Sequence, residues 1–236
     1  PSSPCPRHRR CRTTSPIDAP TLRYGSAVAP DQTTDVGVGP HPEPWPAEAH
    51  FDPELLAEGD RRNVLDRYRY WSVDAIVADL DHGRHGFHVA IENWEHDFNI
   101  GSVIRNSNAF LASAVHIIGP HRWDRRGAMS THRYLHLHHH ADVDAFVIWA
   151  ASEGLPIVAI DNVDGSVPIE STALPEHCVL LFGQEGPGVS NAALAAARAT
   201  CAITQFGSTR SLNAGVASGI AMYEWCRQHV QSETDI

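Results

Sequence analysis

Cys178-Val-Leu-Leu-Phe-Gly-Gln-Glu-Gly-Pro-Gly-Val-Ser190 decides the fold. Its first five residues are apolar without a break, and Gly183, Gly186 and Gly188 follow at once. An apolar run of this length, stopped by glycine and proline, reads as a strand buried on both faces. Working outward, Phe87–Ile91, Ala114–Ile118, Pro156–Ile160 and Cys201–Thr204 have strand character. Between them, Gly101–Leu111, Asp142–Glu153, Asn191–Ala199 and Leu212–His229 have helical spacing. Short apolar strands alternating with helices predict an α/β fold, a mostly parallel sheet with helices on both faces. Ligands of such sheets collect at the carboxyl ends of the strands.

Proline marks the first boundary, because 11 of the 16 prolines lie within residues 1–53. Residues 1–50 read as a disordered, proline-rich tail whose start, Arg7-His-Arg-Arg-Cys-Arg12, is basic. Residues 51–86 form a helical N-terminal extension, its helix expected over 52–80 with Leu55, Leu56, Val64, Leu65, Tyr68 and Trp71 on one face. Residues 87–230 form the main domain, and 231–236 a short tail. The 236-residue chain has a net charge of −10, and all 18 of its cations are arginines. Without lysine, Schiff-base chemistry and the P-loop lysine are excluded. The acidic balance argues against a general nucleic-acid coat but leaves room for a local basic site. Five cysteines, an odd number with no CxxC, suit a reducing cytoplasm better than a disulfide framework. No stretch approaches the roughly 18 apolar residues of a membrane span.

Three segments place polar and glycine residues where a plain sheet needs only turns. Asn99-Ile-Gly-Ser-Val-Ile-Arg-Asn-Ser-Asn-Ala-Phe110 follows a strand and enters a helix, with Gly101 and Arg105 on one face. Arg105 can hold a phosphate or carboxylate there, or serve as a surface ion pair. Leu180–Ser190 offers backbone to a ligand, or is a tight turn capped by Ser190. It has neither the P-loop pattern nor GxGxxG. Ile203-Thr-Gln-Phe-Gly-Ser-Thr-Arg-Ser-Leu-Asn213 runs from a strand into a helix rich in small residues, with Ser211 and Asn213 where an N-cap is expected.

In order and spacing, N-x-G-x-x-x-R-N-x-x-A-F, L-F-G-x-E-G-x-G and I-x-x-x-G-S-x-x-S-L-N resemble the SpoU (TrmH-like) family of RNA ribose methyltransferases, within the SPOUT superfamily. The resemblance covers about residues 87–230. It implies methylation of a ribose 2′-hydroxyl of tRNA or rRNA with S-adenosyl-L-methionine, a deep C-terminal trefoil knot, and a homodimer whose protomers share the active site. It places Asn99, Arg105, Glu185, Ser211 and Asn213 at the catalytic positions. Gly183, Ile203 and Leu212 take positions that hold the cofactor, largely through backbone groups. Where the family commonly has Ile-Pro-Met, this chain has Ile203-Thr204-Gln205. Residues 1–86 are too short and proline-rich for the separate RNA-binding domain of some relatives. A non-catalytic RNA-binding relative is the competing class, and the intact catalytic positions speak against it.

Methyl transfer needs the hydroxyl in line with the S–CH3 bond, so positioning dominates. Arg105 is the one ionisable residue of the first motif, and guanidinium is effectively never deprotonated. Arg105 is therefore expected to bind the adjacent phosphate and stabilise the developing alkoxide, the proton leaving through phosphate or water. Glu185 is expected to shape its loop or orient Arg105 and RNA. Arg122, Trp123, Arg125, Arg126 and Arg133 form the RNA-facing candidate, through phosphate contacts and base stacking, against the alternative of a solvated loop. His132, His136, His138, His139 and His140 invite a metal, but helical and strand spacing conflict and the reaction needs none, so no metal site is expected.

Overall fold

The computed structural model describes residues 37–93, 99–184 and 186–230. Seven strands form one sheet: β1 (Phe87–Glu92), β2 (Val115–Ile118), β3 (Leu137–His140), β4 (Ile157–Ile160), β5 (Val167–Pro168), β6 (Cys178–Phe182) and β7 (Ala199–Ala202). Their order is β3-β2-β1-β6-β4-β7-β5, and every pairing is parallel. Among the described residues, six α-helices accompany them: α1 (Pro53–Glu58), α2 (Val73–Asp81), α3 (Asn99–Ala109), α4 (Val143–Ser152), α5 (Asn191–Ala196) and α6 (Ala214–His229).

The side-chain alternation of a strand divides the core into two layers. Phe87, Val89, Ile91, Cys178, Leu180 and Phe182 pack with Val103 and Ile104 of α3 and Met222 and Trp225 of α6. Ala90, Val179, Leu181 and Ala159 pack on the other face with Phe146 of α4 and Ala193 of α5. The run Cys178–Phe182 is buried at all five positions, as expected of a central parallel strand covered on both sides.

Two expectations change. The helix foreseen across 52–80 is broken after α1, because the carboxylate of Asp60 is fully buried there. It accepts from the Arg62 side chain at 2.7 and 2.9 Å and from the Tyr70 backbone N–H at 3.0 Å. A Cβ on Gly59 would lie 2.6 Å from the Val38 carbonyl, so the chain turns closely against residues 38 and 39. The helix restarts at Ser72, whose hydroxyl caps α2. Part of the expected tail is consequently ordered: Val38 bridges Asp60, and the Tyr70 hydroxyl donates to the Gly39 carbonyl. The basic start of the tail lies outside the described residues.

Of the histidine tract, His138, His139 and His140 lie on the edge strand β3, His136 just before it and His132 in the 3-10 turn Thr131–Tyr134. His138 and His140 face His116 of β2, while His139 stacks on His121. His116 shares hydrogen bonds with His88 at 3.0 Å and His140 at 2.9 Å, and Trp149 of α4 packs on it at 3.9 Å. Among the described residues, no group of three or more His, Cys, Asp or Glu side chains could hold a metal ion. The opposite edge, β5, escaped sequence reading because it is two residues long, and its Pro168 suits an edge.

Candidate active site

The loops after β4, β6 and β7 close round a cavity of about 580 Å3 at the carboxyl end of the sheet. Its glycine loop is held by backbone. Gln184 and Gly188 exchange N–H···O bonds at 3.2 and 3.1 Å. A Cβ on Gly183 would sit 2.0 Å from the Gly188 carbonyl carbon, so only glycine permits the loop to fold back on the strand end. Two carboxylates then fix the exit of the loop: Asp161 Oδ2 accepts from Val189 N–H and Glu92 Oε2 from Ser190 N–H, both at 2.7 Å. Ser190 caps α5 through its hydroxyl. Gly183, Ile203, Ser211, Leu212 and Asn213 all line the cavity.

A second hollow of about 520 Å3 lies between α3 and α6 and is lined by Arg105, Asn106, Asn213 and Gly127, among others. Close packing creates it. A Cβ on Gly215 would lie 2.8 Å from Ser102 Cβ, and Asn106 Nδ2 donates to the Gly215 carbonyl at 2.8 Å and to Ser218 Oγ at 2.9 Å. Arg105 is exposed, and among the described residues it forms no ion pair. Asn213 borders both spaces. Its Oδ1 accepts from Gly215 and Val216 N–H to cap α6, and its Nδ2 donates to Asn99 Oδ1 at 2.7 Å. The first and third motifs therefore meet directly. Glu185 lies outside the described residues.

The arginine segment sits beside this hollow. A Cβ on Gly101 would meet Ala128 N at 2.7 Å, so that glycine lets residues 125–128 dock on the first turn of α3. Asn93, buried at the end of β1, donates to the carbonyls of Pro120 at 2.6 Å and Arg122 at 3.0 Å. Arg122, Arg125, Arg126 and Arg133 are exposed. Trp123 is part-buried against the core, with His132 edge-on to it at 5.8 Å and the Arg125 guanidinium 5.9 Å from its ring centre. Arg126 is already engaged, bidentate on Asp124 at 2.6 Å. Hydrogen bonds from Arg126, first from its side chain and then its backbone, lower the Asp124 pKa to about 2.

Sequence reading missed Glu92, Asn93 and Asp161. Each acts on backbone or side chains far away along the chain, and no spacing pattern announces such contacts.

The profile of the SpoU rRNA Methylase family matches residues 86–223. The tRNA (guanosine(18)-2′-O)-methyltransferase of Escherichia coli (strain K12) is 27% identical over 143 residues, covering 59% of this chain and 62% of that protein. This chain thus spans about three fifths of that relative's length. The enzyme of the same name from Thermus thermophilus is 24% identical over 152 residues, covering 61% and 76%. Among solved structures, the AdoMet-bound rRNA methyltransferase from Sinorhizobium meliloti superposes with a TM-score of 0.57 at 27% identity, covering 65% of this chain and 61% of that one. A SpoU methyltransferase from Streptomyces viridochromogenes in complex with AdoMet gives 0.56 at 26% identity, with coverage of 65% and 62%.

Proposed function

Because the chain belongs to the SpoU rRNA Methylase family, we propose that it methylates a ribose 2′-hydroxyl of tRNA or rRNA, using S-adenosyl-L-methionine. Asn213 carries this reading, since one side chain borders both the cavity under the glycine loop and the hollow holding Arg105. An adenosyl ligand fits the larger cavity, whose wall is backbone at Gly183 and Gly188 and apolar side chain at Ile203 and Leu212. Gly183, Ile203 and Leu212 would hold the cofactor, which supplies an electrophilic methyl on a sulfonium when bound.

The remaining chemistry falls to this chain's own side chains. No carboxylate or imidazole lines the Arg105 hollow among the described residues. Arg105 therefore works as a cation: it binds the neighbouring phosphate and stabilises the oxygen as it loses its proton to phosphate or water. The Asn99–Asn213 pair fixes the boundary between the two spaces, which sets the line of attack. Ser211 and Glu185 orient the nucleotide and its phosphate. Arg125 and Arg133 meet RNA phosphates, with Arg122 on the same segment, and Arg126 and Trp123 contribute less because Arg126 is paired with Asp124 and Trp123 is packed on the core.

The trefoil knot belongs to the same proposal. It is supported by cross-ties between loops: the Asn162 amide, after β4, donates to the Arg210 carbonyl, after β7, at 3.0 Å, and Asp161 holds Val189, after β6. A homodimer is supported by an apolar stripe on α6, where Val216, Ile220 and Tyr223 are exposed at 53%, 38% and 61% beside the Arg105 hollow. Residues 87–230 are taken as the methyltransferase domain. A cytoplasmic setting agrees with free thiols at Cys178, Cys201 and Cys226. No helix among the described residues is long and apolar enough to cross a membrane.

The test is labelled methyl transfer to total tRNA and rRNA, followed by mapping of alkali-resistant linkages. Label recovered at a 2′-oxygen is the expected result. Label on a base would overturn the assignment.

A further inference from the structure

Phe206 is the most exposed large apolar side chain among the described residues, at 97% against 71% for Ile148, the next. The loop that carries it is tied at both ends. The Thr204 hydroxyl donates to the Glu170 carboxylate, and the Arg210 carbonyl accepts from the Asn162 amide at 3.0 Å. From Phe206 to Asn213 every residue is exposed, so the ring stands out from a fixed loop. A Cβ on Gly207 would meet nothing within 4 Å, which leaves open space beside the ring. The stretch Ile203–Asn213 carries hydroxyls at Thr204, Ser208, Thr209 and Ser211, one cation at Arg210, and no acid. Arg210 is exposed and forms no ion pair among the described residues. In a chain of net charge −10, an acid-free loop with a free cation is where a polyanion meets least repulsion. The loop runs directly into Asn213, which borders the Arg105 hollow. A protein interface would want contiguous apolar area around the ring. Here its chain neighbours at 205 and 207–211 are glycine or polar, and a lone aromatic ring among hydroxyls and a guanidinium is the chemistry that holds a single nucleic-acid strand.

We infer that Phe206 is a specificity-determining residue whose ring stacks on an unpaired base of the RNA, with Arg210 on a phosphate of the same strand. The target nucleotide is accordingly taken from a single-stranded segment and not from a duplex. The inference rests on the RNA-methylating reading and adds to it a residue that the motif I-x-x-x-G-S-x-x-S-L-N leaves open. Stacking needs an aromatic face and tolerates any base, so tyrosine can replace Phe206 while leucine, apolar but without a ring, cannot.

The experiment measures binding of labelled oligoadenylate of about twelve nucleotides, and of an RNA duplex of equal length, to the full chain by fluorescence anisotropy across a salt series. Wild type is compared with Phe206→Ala, Phe206→Leu, Phe206→Tyr and Arg210→Gln. Thermal unfolding, S-adenosylhomocysteine affinity and sedimentation velocity serve as controls. Phe206→Ala and Phe206→Leu should bind oligoadenylate about tenfold more weakly, the effect of one lost stack. Phe206→Tyr should bind as the wild type does, and the duplex should not distinguish the Phe206 variants from wild type. Arg210→Gln should lower the slope of log K against log salt by about 0.7. Because the ring is exposed, unfolding temperature and S-adenosylhomocysteine affinity should stay unchanged in the Phe206 variants. Equal affinity of wild type and Phe206→Ala for oligoadenylate overturns the inference, as does wild-type affinity in Phe206→Leu. A wild type that binds no oligoadenylate overturns it too. Dissociation of an oligomer by Phe206→Ala would assign the ring to a protein interface and likewise reject it. A wild type that transfers label to neither tRNA nor rRNA, yet loses oligoadenylate with Phe206→Ala, rejects the methyltransferase reading and leaves the stacking contact standing.

Discussion

Asn213 donates its amide to Asn99 across 2.7 Å while its carbonyl oxygen caps α6, so one side chain joins two segments 114 residues apart and starts a helix. The two duties are separable. Serine at this position retains a cap but is too short to reach Asn99. Asn213→Ala should cost about 1 kcal/mol of stability from the lost cap, whereas Asn213→Ser should unfold within a few tenths of a kcal/mol of wild type. Both should be strongly impaired in methyl transfer. Wild-type turnover in Asn213→Ser would show that the Asn99 contact has no part in the reaction.

Arg105 should affect the chemical step and leave the cofactor site alone, since it lines only the smaller hollow. Arg105→Ala is expected to lower single-turnover methyl transfer by about 10²–10³-fold, the usual effect of removing one electrostatic stabiliser. Its affinity for S-adenosylhomocysteine should not change. Undiminished transfer, or a parallel loss of cofactor binding, contradicts the role given to it.

The arginines of the 122–133 segment should be unequal. Arg125 is exposed and free of ion pairs among the described residues, whereas Arg126 is neutralised by Asp124. Arg125→Ala should weaken RNA binding and lower the slope of log K against log salt by about 0.7–0.9. Arg126→Ala should do less. Filter binding across a salt series distinguishes the two, and a larger effect at Arg126 would count against this ordering.

Acid should destabilise the sheet through its histidines. Burial above all, then the neighbouring rings of His88, His138 and His140, press the His116 pKa down to about 2. Burial likewise, then His138 and His177, lowers His88 to about 4. A ring held neutral in the fold but free to protonate at about 6.5 when unfolded gives stability that is complete above pH 6.5. That stability drains as pH falls toward these folded-state values. For His116 the loss is about 1.4 kcal/mol per pH unit below 6.5. Urea unfolding at pH 7.5 and 5.5 should show the drop, and His116→Phe should shrink it. The same drop in the variant would exonerate His116.

How far the sequence led depended on whether an element was decided locally. Cys178–Phe182 could be read to the residue, because a run of five apolar residues has no other stable place than a sheet interior. The helix over 52–80 could not, since its break is imposed by Asp60, Arg62 and Tyr70 acting together, and propensity does not see such a contact. The histidines satisfied both a helical and a strand spacing, and only pairing with β2 settled which applied. At the candidate site, motif order foretold which residues to inspect. It was silent on Asp161 and Glu92, whose work is to hold two consecutive N–H groups of a loop 28 and 98 residues further on.

The larger cavity has a consequence for biosynthesis. Its walls are drawn from residues 160 to 217, and the last of them lie in the first turn of α6. A nascent chain can therefore assemble most of its strands while still having nowhere to put a nucleoside. Competence to bind arrives only when the C-terminal helix has left the ribosome and docked, and contacts of such sequence separation form slowly. A chain that stops before residue 214 would keep all seven strands and lack the part of the cavity wall that α6 supplies.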